Sequence, residues 1–131
     1  MTDETGDKGG ILQDEKTFSS VLGQAIWLMS MDDNYKHLPI SMIEGRALPP
    51  IILRQFKLYY KDKQPIGFLT WALLDQPVTQ ITDFSAFTGN NLEIWRSGAA
   101  ITVIDCVSPF NDPALLRERF LQEVASSVTQ H

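Results

Sequence analysis

Asp105 is the residue of this sequence that most needs a chemical explanation. It stands in Ala99-Ala100-Ile101-Thr102-Val103-Ile104-Asp105-Cys106-Val107, a run whose other members favour burial. A carboxylate in such a run is costly unless it is paired or hydrogen-bonded, so a specific partner is expected. It also sits at the end of the run, just before Ser108-Pro109-Phe110, where a strand opens into a loop. The plainer reading is an aspartate at a solvated strand mouth, bonding nearby amides. His37 is the only internal histidine, since His131 is the last residue. A free imidazole titrates near 6.5, which makes His37 the natural candidate for a general base. A histidine oriented by an aspartate is a common base arrangement, because the carboxylate fixes the tautomer and stabilises the imidazolium. Cys106 adjoins Asp105, but neighbouring strand residues point to opposite faces, so it reads as a small core residue rather than a nucleophile.

The elements that would position these residues follow from periodicity. Residues 1–16 are polar and without period and read as a disordered leader, with one domain over 17–131. From Thr17, a candidate N-cap, Phe18, Val21, Leu22, Ala25, Leu28 and Met29 fall in steps of three and four, predicting an amphipathic helix that ends near Asp32-Asp33-Asn34. Residues 35–50 mix a loop with a short helix, and Pro49-Pro50 is expected to close that segment. Gln55–Lys61 alternates, with Phe56, Leu58 and Tyr60 on one face and Lys57, Tyr59 and Lys61 on the other, as a half-buried strand does. The turn Asp62-Lys63-Gln64-Pro65 leads into Ile66–Leu74, a continuous apolar run suited to a central strand. Residues 77–96 are ambiguous, with a helix over 77–87 as one reading and Thr88-Gly89-Asn90-Asn91 as a turn. Ala99–Val107 reads as a second buried strand. Asn111-Asp112-Pro113 opens a last helix whose apolar side is Leu116, Phe120, Leu121, Val124 and Val128. The result is a single α/β-type domain.

Composition narrows the function classes. With 131 residues, 44% hydrophobic and 21% charged, the chain has the makeup of one globular domain. One cysteine and two histidines leave no disulfide scaffold, no multi-cysteine zinc site and no evident metal site. No apolar run approaches the ~20 residues needed to cross a bilayer, and Met1–Gly10 is not a signal peptide, so the expected address is the cytoplasm without stable membrane insertion. A net charge of −5 argues against general nucleic-acid binding. That total conceals a basic middle: Lys36, Arg46, Arg54, Lys57, Lys61 and Lys63 face only Glu44 and Asp62 across residues 36–63. Such a stretch could steer an acidic partner, although a solvated face of strand and turn residues explains it as simply. No G-x-S-x-G elbow and no glycine-rich phosphate loop is present. Trp27, Trp71 and Trp95 read as core or pocket walls.

Five segments in order resemble the toxin-activating lysine acyltransferases, the hemolysin-activating family of Gram-negative bacteria. Leu22-Gly23-Gln24-Ala25-Ile26-Trp27-Leu28 is similar to the family's opening helix, and Leu48-Pro49-Pro50-Ile51-Ile52-Leu53-Arg54-Gln55-Phe56 to its L-P-[AP]-I…Q segment. Pro65-Ile66-Gly67-Phe68-Leu69-Thr70-Trp71-Ala72 resembles P-V-A-Y-x-S-W-A. Trp95-Arg96-Ser97-Gly98, with Ile104-Asp105-Cys106-Val107-Ser108-Pro109-Phe110 after it, resembles W-x-S-G-D…[IV]-D-x-[IV]-[AS]-P-F. The resemblance implies a fold like the GCN5-related N-acetyltransferases, a mixed sheet flanked by helices. It implies transfer of a fatty acyl chain from acyl carrier protein to internal lysines of an RTX protoxin, in the cytoplasm, by a protein that tends to form homodimers. Acyl carrier protein would be the acyl donor, with no permanently bound cofactor. The family's catalytic aspartate carries over onto Asp105. Its S-x-x-H-R pattern, counted back from Leu48-Pro49, falls on Asp32-Asp33-Asn34-Tyr35-Lys36, so Tyr35 takes the histidine position and His37 comes two residues later. The family's Asp-Arg/Lys after S-G is replaced by Ala99-Ala100, and the longer tail of many members is missing.

A tyrosine near its ordinary pKa of 10 is ionised about one part in a thousand at pH 7, so Tyr35 is a poor base and His37 the better one. In the reading the resemblance favours, His37 accepts the proton of the attacking lysine and Asp105 orients His37 or the amine. Phe68 and Trp71 line the acyl chain, and Arg54 and Lys57 belong to the basic surface that meets the acidic carrier. A relative that binds an acyl chain, carrier or toxin without transfer is the second reading. A small-molecule acetyltransferase using acetyl-CoA is the third, and the missing pyrophosphate loop counts against it.

Overall fold

The expected helical spacing of the first segment forms a helix over Glu15–Met31, α1, in the computed structural model, which describes residues 15–76, 87 and 91–129. Ala25, Leu28 and Met29 of α1 are buried, with Phe18, Val21 and Leu22 half-buried beside them. The helix starts two residues before the expected cap at Thr17, a difference within the usual spread of helix ends. The leader up to residue 14 and the expected helix over 77–87, apart from Phe87, lie outside the described residues.

After a turn at Asp33–His37, α2 runs from Ile40 to Leu53 and passes straight through Pro49 and Pro50. The two prolines therefore do not close this segment. Each removes an amide that would bond the carbonyl four residues back, at Gly45 and Arg46. The helix continues because its inner side, Gly45, Ala47, Pro49, Pro50 and Ile51, is buried, and packing outweighs local propensity. It stops at Arg54, whose backbone is left-handed at φ 61 and ψ 36. The Gln55 amide donates to the Pro50 carbonyl (2.8 Å) and the Arg54 amide to Ile51 (3.3 Å), a Schellman closure in which glycine is the usual residue.

Three strands follow in an antiparallel sheet of order β1-β2-β3: Phe56–Lys61, Gln64–Leu74 and Ala100–Val107. The α/β class is as expected, and the only parallel pairing among the described residues is a bridge between Leu73 and Arg96. The last helix, α3, spans Pro113–Thr129. The helices cover opposite faces of the sheet. On one face Phe68 and Val107 meet Ala25, Leu28, Met29 and Ile51 of α1 and α2. On the other, Tyr59, Leu69 and Cys106 meet Leu116 and Phe120 of α3, with Trp71 stacked on Phe120 at 4.9 Å between ring centres. α3 can approach because Gly67 carries no side chain; a Cβ there would lie 2.6 Å from Leu116.

Gln55 ties the helical layer to the sheet. Its amide nitrogen donates to the carbonyls of Trp71 and Trp95, both at 3.0 Å, and its oxygen accepts from Arg96 Nε at 2.8 Å. Arg96 in turn donates to the Leu53 carbonyl. Gly98 packs against the backbone of Leu74, where a Cβ would lie 2.3 Å from the carbonyl. These contacts give structural roles to the Gln55 and Trp95-Arg96-Ser97-Gly98 segments.

Candidate active site

The position of Asp105 depends on one irregularity in β3. Thr70 pairs with Asp105 but Trp71 pairs with Val103, so Ile104 is an extra residue on the β3 side. Such a bulge leaves two successive residues facing the same way. Thr102 and Ile104 pack on the face covered by α1 and α2, and simple alternation would send Asp105 to the α3 side. The bulge keeps Asp105 with Ile104 instead, and Cys106 turns to α3.

Asp105 is 2% exposed. Arg46 of α2 grips it with two donors: Nε reaches Oδ2 at 3.1 Å and Nη2 bonds Oδ1. This is a buried, forked guanidinium–carboxylate pair, the stronger kind of charge-assisted hydrogen bond. The Tyr35 hydroxyl donates to Asp105 Oδ1 at 3.0 Å and accepts from the Cys106 amide at 3.2 Å. The Arg46 guanidinium also stands 5.9 Å from the centre of the Tyr35 ring. Burial, reinforced by the charge of Asp105, raises the Tyr35 phenol above its ordinary value, so at neutral pH it is a hydrogen-bond donor and not a base.

A second staple holds the same turn. Asp32 Oδ2 accepts from the Ser108 amide at 3.0 Å, Oδ1 from the Asn34 amide at 2.9 Å, and its carbonyl from the amides of Tyr35 and Lys36. The turn from Asp32 to His37 is thus fixed to the end of β3 at two points. His37 itself is exposed at the outer end of this turn and makes no hydrogen bond to Asp105. The structure joins Tyr35, not His37, to Asp105.

The remaining sequence candidates lie apart. Phe68 is fully buried beneath α1 and α2, whereas Trp71 faces α3 across the sheet, so the two do not line one surface. Lys57 is exposed and pairs with Glu123 of α3 at 2.9 Å, and Arg54 is exposed at the end of α2. Arg46, counted with the basic stretch in the sequence, points inward and is unavailable to a surface partner. It is the partner of Asp105 that sequence reasoning missed; the signal was the need of a buried aspartate for a cation. Burial pushes the Cys106 thiol up to about 11, in keeping with an inert core residue. Among the described residues no cluster of histidine, cysteine or acidic side chains could hold a metal ion, and no helix is long and apolar enough to cross a membrane.

The class defined here is an α/β domain with a carboxylate buried at a strand bulge and stapled to the turn after its first helix. The profile of the RTX toxin acyltransferase family matches residues 14–130, which take in every element of this site, and the chain belongs to that family. It is 32% identical over 97 residues to the protein-lysine myristoyltransferase RtxC of Kingella kingae, covering 74% of this chain and 58% of that protein. It is 27% identical over 115 residues to the RTX-II toxin-activating lysine-acyltransferase ApxIIC of Actinobacillus pleuropneumoniae, covering 83% and 70%. To the protein-lysine myristoyltransferase HlyC of Escherichia coli it is 26% identical over 114 residues, covering 82% and 65%. The matched stretch thus spans between about three fifths and seven tenths of each relative's length.

Proposed function

We propose that this protein is a protein-lysine acyltransferase that moves a fatty acyl group from acyl carrier protein to internal lysines of an RTX-type protoxin. The observation that carries the reading is membership of the family along almost the whole chain; a buried aspartate in the segment that resembles the family motif supports it. In the reaction a neutral lysine amine attacks the thioester carbonyl, the C–N bond forms, the C–S bond breaks and the carrier thiol leaves. A free lysine, near pKa 10.4, is almost wholly protonated at pH 7, so a proton must be removed. His37 is the side chain suited to accept it and return it to the departing thiolate. Asp105 acts through Tyr35, holding the turn that carries His37. The exposed Arg54, Lys57, Lys61 and Lys63 offer positive charge to an acidic carrier. The reaction takes place in the cytoplasm, and the protein works as a homodimer.

Co-expression with an RTX-type protoxin and acyl carrier protein, followed by intact-mass measurement of the protoxin, tests this. One or more added fatty acyl masses are expected. An unmodified protoxin, where a related transferase modifies its own, would leave a protein that binds donor or toxin without transfer.

A further inference from the structure

Asp32 is a second aspartate taken almost wholly out of water, at 5% exposed. Asp105 is met by a guanidinium, whereas among the described residues no cation pairs with Asp32 and backbone amides take that place. Its Oδ2 accepts from Ser108 at the end of β3, 76 residues away, and its Oδ1 from Asn34, two residues on. The two amides are aimed at separate oxygens, and both oxygens of a carboxylate accept. An asparagine would turn its NH2 group towards one of them. The charge at this position therefore does something a neutral cap could not: it fastens the turn after α1 to β3 and opens that turn at the same time.

From this anchor the backbone bonds run on to His37. The Asp32 carbonyl accepts from the Tyr35 and Lys36 amides, both at 2.9 Å, and the Tyr35 carbonyl from the Leu38 amide at 3.0 Å. Lys36 closes the outer side by pairing with Asp33 at 2.9 Å. His37 stands inside the second of these turns, between Lys36 and Leu38, before α2 begins at Ile40. Its backbone is thus placed by bonds that begin at Asp32, and its side chain is left exposed.

We propose that Asp32 is a positioning residue for acyl transfer, acting through His37 by fixing the turn that carries it to the end of β3. The inference rests on the acyltransferase reading above, in which His37 moves the proton. Tyr35 is the nearer anchor, but loss of its hydroxyl leaves its backbone bonded to the Asp32 carbonyl. Loss of the Asp32 carboxylate removes the link to β3 and the bond that opens the turn, and it leaves the buried Ser108 amide without its acceptor.

The test is a double-variant cycle on steady-state acylation of an RTX-type protoxin by the full chain, with acyl carrier protein as donor. Asp32→Ala should lower kcat by about 10–10²-fold, the scale of a displacement of about 1 Å in a reacting group, with KM for the protoxin unchanged. In a His37→Ala background the same substitution should cost nothing further, because the group it positions is already gone. Asp32→Asn keeps the shape and one acceptor oxygen. It should show a smaller loss with the same dependence on His37, which gives the reading should Asp32→Ala fold poorly. A purely structural role would instead lower the amount of folded enzyme and reduce the rate equally in both backgrounds. Equal losses in the two backgrounds, or full kcat in both Asp32 variants, would overturn the proposal and leave the transferase reading standing. A wild-type chain that acylates no protoxin would sink that reading and this inference with it. A fully active His37→Ala enzyme would overturn the inference through its choice of base while upholding transfer.

Discussion

One face of the β-sheet is covered by two helices and the other by one, and the two are held by different forces. Beneath α3 the contact is apolar, with Leu69, Cys106, Leu116 and Phe120 closed by a partly exposed rim in which Glu123 accepts from Lys57, Tyr59 and Arg119. Beneath α1 and α2 an equally buried apolar patch is interrupted by Asp105, Arg46 and Tyr35. An apolar contact tolerates small shifts. A buried ion pair does not, because a charge that loses its partner keeps its desolvation cost. The α3 face therefore contributes adhesion, and the α1–α2 face fixes a particular geometry around Asp105. The extra residue at Ile104 assigns Asp105 to the second face rather than the first.

Arg46→Met should give the largest loss. It strands Asp105 and is expected to cost about 3–5 kcal/mol in urea denaturation. Adding Asp105→Leu should recover part of that loss, because no buried charge is then left; a double variant no better than the single would remove the distinction between the faces. Phe120→Ala on the α3 face should cost about 3 kcal/mol, through lost contacts and a cavity. Its effect should be unchanged by salt.

A smaller effect appears in alkali. The folded chain holds the Cys106 proton more tightly than the unfolded chain, from an ordinary value of 9.0 to about 11. This contribution is complete below pH 9 and is lost as pH rises to about 11. Cys106→Ala should flatten that part of the stability curve, as read by melting temperature between pH 8 and 11. The raised phenols of Tyr35 and of Tyr59, one on each face, act in the same direction at higher pH and should remain visible in that variant. The smallest change concerns Arg54. Replacing its left-handed conformation by Arg54→Gly should stabilise the chain by about 1 kcal/mol. If Arg54 helps to hold the carrier, the same variant should raise the KM for acyl carrier protein.

Much of the scaffold was legible in the sequence because amphipathic period survives tertiary packing. The spacing from Phe18 to Met29, the alternation of Phe56 to Lys61 and the start of the last helix at Pro113 all appear as expected. Pro49-Pro50 misled because local rules for proline ignore the burial of that helix side. The need of Asp105 for a partner could be read from its apolar neighbours, but the partner could not. Arg46 is distant in sequence, and the bulge that aims Asp105 at it leaves no compositional mark. Tyr35 could be singled out from the sequence by its distance from Leu48-Pro49, whereas its bond to Asp105 depends on two elements meeting in space.

On the proposed mechanism Asp105 holds the turn through Tyr35 while the exposed His37 handles the proton. Steady-state acylation of an RTX-type protoxin by His37→Ala and Tyr35→Phe, with acyl-carrier-protein donor, tests it most directly. On this mechanism His37→Ala should lower kcat by about 10²–10⁴-fold, the usual contribution of a general base. Tyr35→Phe should lose only a modest fraction of kcat. A Tyr35→Phe enzyme without activity beside a fully active His37→Ala enzyme would contradict it.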